Sequence, residues 1–378
     1  MKWRVPLADL GFDEEENQAV LKVLNSRWLT MGAVTEEFEK SFAGRIGVKH
    51  AFAVTNATAA LHLACLSLGI GPGDEVIVPS LSFVATSNSV LYTGAQVRFA
   101  DILGPDELTI SPTEIERLIS PSTRAVIVMH YGGYPCHMVE IMDIAARHGL
   151  AVIEDAAHAP GASMDGRALG TWGDIGCFSF FSNKNLSTGE GGMLVTDRDD
   201  IAGKVRLLRS HGMTSLTWDR HQGHAYSYDV IDVGYNYRID EIRSALGLVQ
   251  LGKLEHHNTQ RKNITEKYWS SLGGSFLRFP FQNWSKMPEI SPSYHLLPVL
   301  LSENMDRSAF IENLRAGGIQ TSIHYPPIHQ FTTYRNRFPD VQLPQTEYAA
   351  SHELSLPLYP TMSDEAFEIV VREIQKAF

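Results

Sequence analysis

Lys184 follows the apolar run Cys177-Phe178-Ser179-Phe180-Phe181 and stands in a polar loop bounded by Gly189, Gly191 and Gly192. An amine held at the rigid end of a strand can have its pKa lowered by its surroundings, and the neutral amine attacks carbonyls. Upstream, Asp155 ends a second apolar run, Ala151-Val152-Ile153-Glu154. A carboxylate so placed can keep a nearby ring nitrogen protonated, because opposite charges stabilise each other strongly in a shielded site. An amine for an aldehyde and a carboxylate for a pyridine nitrogen together point to a covalently held cofactor of the pyridoxal phosphate type.

Such a cofactor also needs a phosphate cup and a face for its ring. Thr55-Asn56-Ala57-Thr58-Ala59-Ala60-Leu61 reads as a strand passing through small residues straight into a helix. Free amides and the helix dipole then converge on one spot, and Thr58 adds a hydroxyl. Ser179 offers a second hydroxyl and Phe83 a ring face. Taken singly, these residues also suit plainer roles: Asp155 as a helix cap, Asn56 or Thr58 as an N-cap, Phe83 as a core aromatic.

The elements that must position these groups read as α/β. Strands are expected at His50–Thr55, Glu75–Pro79, Gln96–Ala100, Arg124–Met129, Ala151–Glu154, Gly176–Phe180 and Gly192–Thr196. Most are nearly continuous apolar runs, as in a parallel sheet covered on both faces. Helices are expected between them, at Ala57–Leu68, His137–His148 and Ile201–Leu208. A long helix starts at Asp240 and runs toward Tyr268, bridging to a smaller α+β part. That part holds a strand at Tyr294–Leu301, a helix at Arg307–Ala316 capped by Asp306, and a terminal helix at Ser363–Ala377. The expected division is 1–250 and 251–378. The stretch Gly212–Gly234 reads as a loop long enough to serve function or a subunit contact.

The chain of 378 residues has 44% hydrophobic and 20% charged residues and a net charge of −11, an ordinary globular composition. Its charge argues against nucleic-acid and anionic-membrane surfaces while leaving room for local anion sites. No stretch approaches a membrane span, and Met1–Leu7 lacks the apolar run of a secretory signal. Cys65, Cys136 and Cys177 lie far apart, without metal or disulfide spacing, so buried thiols in a cytoplasmic protein are expected. The 15 histidines suggest no metal set; His256-His257, for example, read as a solvated helix face.

The ordered set of motifs resembles the DegT/DnrJ/EryC1/StrS family of sugar aminotransferases, a branch of the fold-type I pyridoxal phosphate enzymes. It includes Trp28-Leu29-Thr30-Met31-Gly32, Ala57-Thr58-Ala59-Ala60-Leu61, Ser82-Phe83-Val84-Ala85-Thr86 and Glu154-Asp155-Ala156-Ala157-His158-Ala159. It continues through Phe178-Ser179-Phe180, Lys184-Asn185, Thr188-Gly189-Glu190-Gly191-Gly192, His211-Gly212-Met213 and Gly234-Tyr235-Asn236-Tyr237-Arg238. The resemblance implies an aspartate aminotransferase-like fold, with a mixed, mainly parallel seven-stranded sheet and a smaller C-terminal α+β domain. It implies Lys184 as the Schiff-base lysine and proton shuttle, Asp155 on the pyridine nitrogen, Phe83 on the ring, and His158 beside the phenolic oxygen. Ala57, Thr58 and Ser179 would hold the phosphate, joined by Asn236 from the other subunit of a homodimer. His324, Tyr325 and His329, in Ile323-His324-Tyr325-Pro326-Pro327-Ile328-His329, would face the substrate; a proline-fixed turn is their plainer role.

The implied reaction moves an amino group from L-glutamate to a keto sugar through the pyridoxamine phosphate form. Ala57 replaces the family's common Gly, which leaves backbone amides free to serve. His158 stands where many members have Gln and leans the acceptor toward C4 of a nucleotide-linked sugar. Other acceptors stay open: an aminocyclitol ketone or a cyclic aromatic-amine precursor. Lys184 argues against the family's dehydratases, which carry His there. The intact set argues against a non-catalytic regulatory protein, and no Gly-x-Gly-x-x-Gly follows the first strand to suggest a dinucleotide.

Overall fold

Ala125, Val126, Ile127 and Val128 are all fully buried, yet successive side chains serve different cores. Val126 and Val128 join one apolar cluster, Ala125 and Ile127 the other. This is the two-residue period of a strand covered on both faces, which is why the sequence shows an unbroken apolar run. The computed structural model describes residues 3–215, 223, 227–274 and 276–376.

Seven strands form the main sheet: β1 (His50–Val54), β2 (Glu75–Pro79), β3 (Gln96–Ala100), β4 (Thr123–Met129), β5 (Ala151–Asp155), β6 (Ile175–Ser179) and β7 (Gly192–Thr196). Their order is β1-β7-β6-β5-β4-β2-β3. All pairs are parallel except those of β7, which runs antiparallel to β1 and β6. The mainly parallel sheet read from the apolar runs, and the mixed seven-stranded form implied by the resemblance, are both present.

Register does the positioning. Gly192, at the start of β7, pairs with Val54 on one side and Ser179 on the other, so the carboxyl ends of β1 and β6 meet. Cys177 of β6 pairs with Asp155, the last residue of β5. A Cβ on Gly192 would lie 2.6 Å from the Asn56 backbone carbon, so only glycine lets the next helix, Ala57–Ser67, start this close. Ligands of open α/β sheets gather at such carboxyl ends.

The long helix Glu241–Leu272 begins at an Asp240 cap, whose side chain accepts from the Arg243 amide. Its Leu251 and Leu254 pack into a core beneath the main sheet, while Tyr268, Trp269 and Leu272 enter a separate core. That second core surrounds a three-stranded sheet of Leu277–Arg278, Leu297–Leu301 and Glu353–Leu356, with helices Arg307–Ala316 and Asp364–Lys376.

Several expectations change. The strand expected from Tyr294 begins only at Leu297: Tyr294 has φ of 50°, and the His295 amide donates to the Gly132 carbonyl at 2.8 Å. His257 is 8% exposed rather than solvated, because Gly11 leaves room for its ring to pack against the N-terminal segment. Residues 216–222 and 224–226 of the Gly212–Gly234 loop, including His221 and His224, lie outside the described residues, as does Ala377. The loop's described flanks pair through Met213 and Val230 and expose Val230, Ile231 and Val233.

Candidate active site

Asp155 is carried to the end of β5 by a buried apolar strand, and its carboxylate has two donors. Thr86 Oγ1 donates to Oδ2 at 2.7 Å, and the Ala157 amide donates to Oδ1 at 3.2 Å. Burial raises the Asp155 pKa above the ordinary carboxyl value, while these bonds and the Lys184 charge pull it down. A cationic ring nitrogen would relieve the desolvation that dominates.

Lys184 sits in a hydrogen-bonded loop after β6. The Phe180 amide donates to Gly191 O at 2.9 Å, Thr188 N to Phe180 O at 2.9 Å, and Lys184 N to Phe181 O at 2.8 Å. The turn thus supports the lysine, with Gly189 at φ of 81°. Burial lowers the Lys184 pKa from 10.5 to about 8, against the pull of Asp155. A substantial fraction of neutral amine near pH 8 follows.

Both groups line one cavity of about 420 Å³, together with Ala57, Thr58, Phe83, His158, Ser179, His324 and Tyr325. A larger depression of about 590 Å³, lined by Glu36, Lys40, Asp199 and Arg206, lies apart from them. Asn56 caps the helix by accepting from the Ala59 amide at 2.8 Å, so its plainer role holds while Ala57 and Thr58 face the cavity. Phe83 is 57% exposed, unlike a core aromatic, and its ring centre lies 6.0 Å from that of Tyr325.

His158 is buried beside the pair. Its Nδ1 accepts from the Gly132 amide at 3.2 Å, so Nε2 carries the hydrogen and meets Tyr325 Oη at 2.9 Å. Burial, then the nearby Lys184 and His324, holds its pKa well below the usual imidazole range. His158 is neutral at physiological pH.

Two expected residues lie elsewhere. His329 is buried away from the cavity, with Nδ1 2.7 Å from Ser80 Oγ and Nε2 3.1 Å from Glu347. The Ile328 amide donates to the Ser80 carbonyl at 3.0 Å, which fixes His329 against Ser80, while His324 and Tyr325 of the same segment line the cavity. Asn236 is exposed on its own chain and does not line that chain's cavity. The Ser82–Thr86 support of Asp155 is not apparent in the sequence, although Ser82-Phe83-Val84-Ala85-Thr86 is one of the family-like motifs. Nor does the sequence mark His295, whose Nε2 lies 3.4 Å from Lys184 Nζ, or the buried Glu353 that accepts from the His324 amide.

This arrangement fits pyridoxal phosphate. A carbonyl can meet the Lys184 amine, a pyridine nitrogen the Asp155 carboxylate, and an anion the start of the Ala57–Ser67 helix with the Thr58 and Ser179 hydroxyls.

The sequence profile of the DegT/DnrJ/EryC1/StrS aminotransferase family matches residues 11–375. The chain is 38% identical over 372 residues to the spore coat polysaccharide biosynthesis protein SpsC of Bacillus subtilis, covering 96% of this chain and 94% of that one. Helicobacter pylori PseC, an aminotransferase involved in the biosynthesis of pseudoaminic acid, superposes with a TM-score of 0.92. It is 28% identical, and 100% of this chain and 99% of PseC are covered. Streptococcus pneumoniae Spr1654 in its PMP form gives a TM-score of 0.91 at 25% identity, with 99% of this chain and 98% of that one covered. On the matched profile and these likenesses, the chain belongs to the DegT/DnrJ/EryC1/StrS aminotransferase family and is a pyridoxal phosphate-dependent aminotransferase.

Proposed function

We propose that this enzyme moves an amino group from L-glutamate to C4 of a nucleotide-linked keto sugar, in two half-reactions that share one site. The observation that carries the chemistry is the meeting of Lys184 and Asp155 in one cavity of about 420 Å³. A sugar acceptor is supported by the likeness to SpsC, named for polysaccharide biosynthesis, and to PseC, named for pseudoaminic acid biosynthesis. His158 supports the C4 preference.

When bound, pyridoxal phosphate supplies an aldehyde to carry the amine and a ring that draws electrons from the carbon losing its proton. Lys184 Nζ takes that proton from the amino donor and, in the second half-reaction, returns one to the acceptor carbon. Its pKa of about 8 keeps both protonation states accessible near neutral pH. Asp155 holds the proton on the ring nitrogen. Ala57, Thr58 and Ser179 bind the phosphate, Phe83 covers the ring, and neutral His158 stands beside its phenolic oxygen.

Asn236 reaches the phosphate of a second copy, so the working unit is a homodimer. Exposed Val230, Ile231 and Val233 near Asn236 support an interface there. His324 and Tyr325, on the cavity wall, contact the acceptor.

The test is spectroscopic. Glutamate should convert the bound cofactor to its amine-carrying form, and a panel of nucleotide-linked keto sugars should restore the starting spectrum. Restoration only by cyclic ketones lacking a nucleotide would overturn the acceptor assignment. A cofactor spectrum that no amino donor alters would overturn the function.

A further inference from the structure

Asn258 Nδ2 donates to the Pro160 carbonyl at 3.0 Å, which leaves Asn258 Oδ1 as the acceptor facing Asn185. Asn185 Nδ2 therefore donates, reaching Asn258 Oδ1 at 2.7 Å and the Ser293 carbonyl at 2.7 Å. Both hydrogens of that amide are then used, and Asn185 Oδ1 is left to face His295 Nδ1 at 2.9 Å. An amide oxygen only accepts, so His295 carries its hydrogen on Nδ1. Its Nε2 presents a lone pair, 3.4 Å from Lys184 Nζ. Two backbone carbonyls, which can only accept, fix the direction of every bond in the chain.

We propose that His295 is a positioning residue for Lys184: its Nε2 accepts a hydrogen from the unattached lysine amine and holds Nζ toward the cavity, with Asn185 locking the required tautomer. The proposal rests on Lys184 being the reacting amine. A lysine released from the cofactor has four rotatable bonds, and without an anchor it would sample many positions between half-reactions. His295 supplies that anchor from behind. It is buried, and its own backbone is fixed, with N–H on Gly132 O at 2.8 Å and C=O accepting from Arg261 Nη1 at 3.4 Å.

The charged and titratable groups around the pair are few. Asp155 faces Lys184 from β5, His158 and His324 stand near both residues, and Arg261 approaches His295 from the long helix. Burial first, then the nearby Lys184, His158, Arg261 and His324, holds His295 well below the usual imidazole range, so it stays neutral and able to accept. A neutral acceptor stabilises a lysine ammonium more than an amine, since bonds to charged donors are the stronger ones. Removing it should therefore make Lys184 lose its proton at lower pH.

The experiment is competitive acetylation of the full-length protein freed of cofactor, with the peptide carrying Lys184 followed by mass spectrometry across a pH series. His295→Phe should move the labelling midpoint of Lys184 down by about one pH unit. His295→Gln, which can place an amide oxygen near Nε2, should stay close to the wild type. Asn185→Leu, which frees the tautomer but leaves the ring, should also move the midpoint down, and it serves if His295→Phe does not fold. An unchanged midpoint in a folded His295→Phe or Asn185→Leu protein would overturn the proposal. So would equal shifts in His295→Phe and His295→Gln, which would mark a packing effect. These outcomes leave the role of Lys184 intact; failure of the wild type to attach cofactor at Lys184 would instead remove the reading on which the proposal stands.

Discussion

Thr86 Oγ1 donates to Asp155 Oδ2 at 2.7 Å, and Ser82 Oγ lies 2.6 Å from the same threonine oxygen. Because Thr86 gives its hydrogen to the carboxylate, it accepts from Ser82, and this two-hydroxyl relay opposes the rise that burial causes in the Asp155 pKa. Thr86→Val should remove that support. The Asp155 pKa would rise further, and the ring nitrogen would lose part of its partner. A hydrogen bond to a charged group contributes about 1.5–3 kcal/mol, so cofactor affinity should fall by roughly tenfold or more. A cofactor titration of the emptied protein measures this, and unchanged affinity would count against the relay.

The phosphate cup can be tested apart from the ring. Thr58→Val and Ser179→Ala should each weaken pyridoxal phosphate by about 1.5–3 kcal/mol, roughly tenfold or more, since each hydroxyl would meet a charged group. Pyridoxal, which lacks the phosphate, should bind each variant as it binds the parent. Equal losses for both ligands would place these hydroxyls outside phosphate binding.

Sharing of the site between copies gives a complementation test. Lys184→Ala protein should be inactive, and Asn236→Ala protein should be nearly so at cofactor concentrations well below its weakened affinity. Mixed after dissociation, they should regain about a quarter of wild-type activity, because half the dimers are mixed and each has one intact site. No recovery despite formation of mixed dimers would contradict the assignment of Asn236 to the neighbouring site.

Glu353 makes stability depend on pH. It is fully buried, accepts from the His324 amide at 2.8 Å and from Ser355 Oγ at 2.7 Å, and burial pushes its pKa from 4.5 up to about 8. The folded state thus holds a proton that the unfolded chain releases near pH 4.5. Stability from this group is greatest below that pH and falls as pH rises through about 8, since folding then buries a charge. Glu353→Gln should flatten this alkaline decline by a few kcal/mol in unfolding experiments between pH 5 and 9, roughly the range spanned by the two pKa values. An unchanged pH profile would show that Glu353 ionises freely in the fold.

The sheet was legible because buried strands leave continuous apolar runs, and Asp155 could be placed at a strand end from those runs alone. Lys184 could be placed just beyond one. Side chains whose roles depend on distant partners were not legible. Thr86 meets Asp155 across 69 residues of sequence, and His295 meets Lys184 across 111. No local period encodes such meetings. His329 misled because it lies near His324 and Tyr325 in sequence, while Ser80 and Glu347 hold its ring away from the cavity those two line. Tyr294 and His295 looked like strand because their neighbours are apolar; the backbone turn at Tyr294 is what brings His295 to the lysine.

The central claim is that Lys184 is the amine that holds the cofactor. Borohydride reduction of the loaded enzyme, followed by peptide mapping, tests it most directly. The pyridoxyl label should appear on Lys184 and should be lost when the enzyme is first converted by its amino donor. A label on any other lysine, or none on the untreated loaded enzyme, would contradict it.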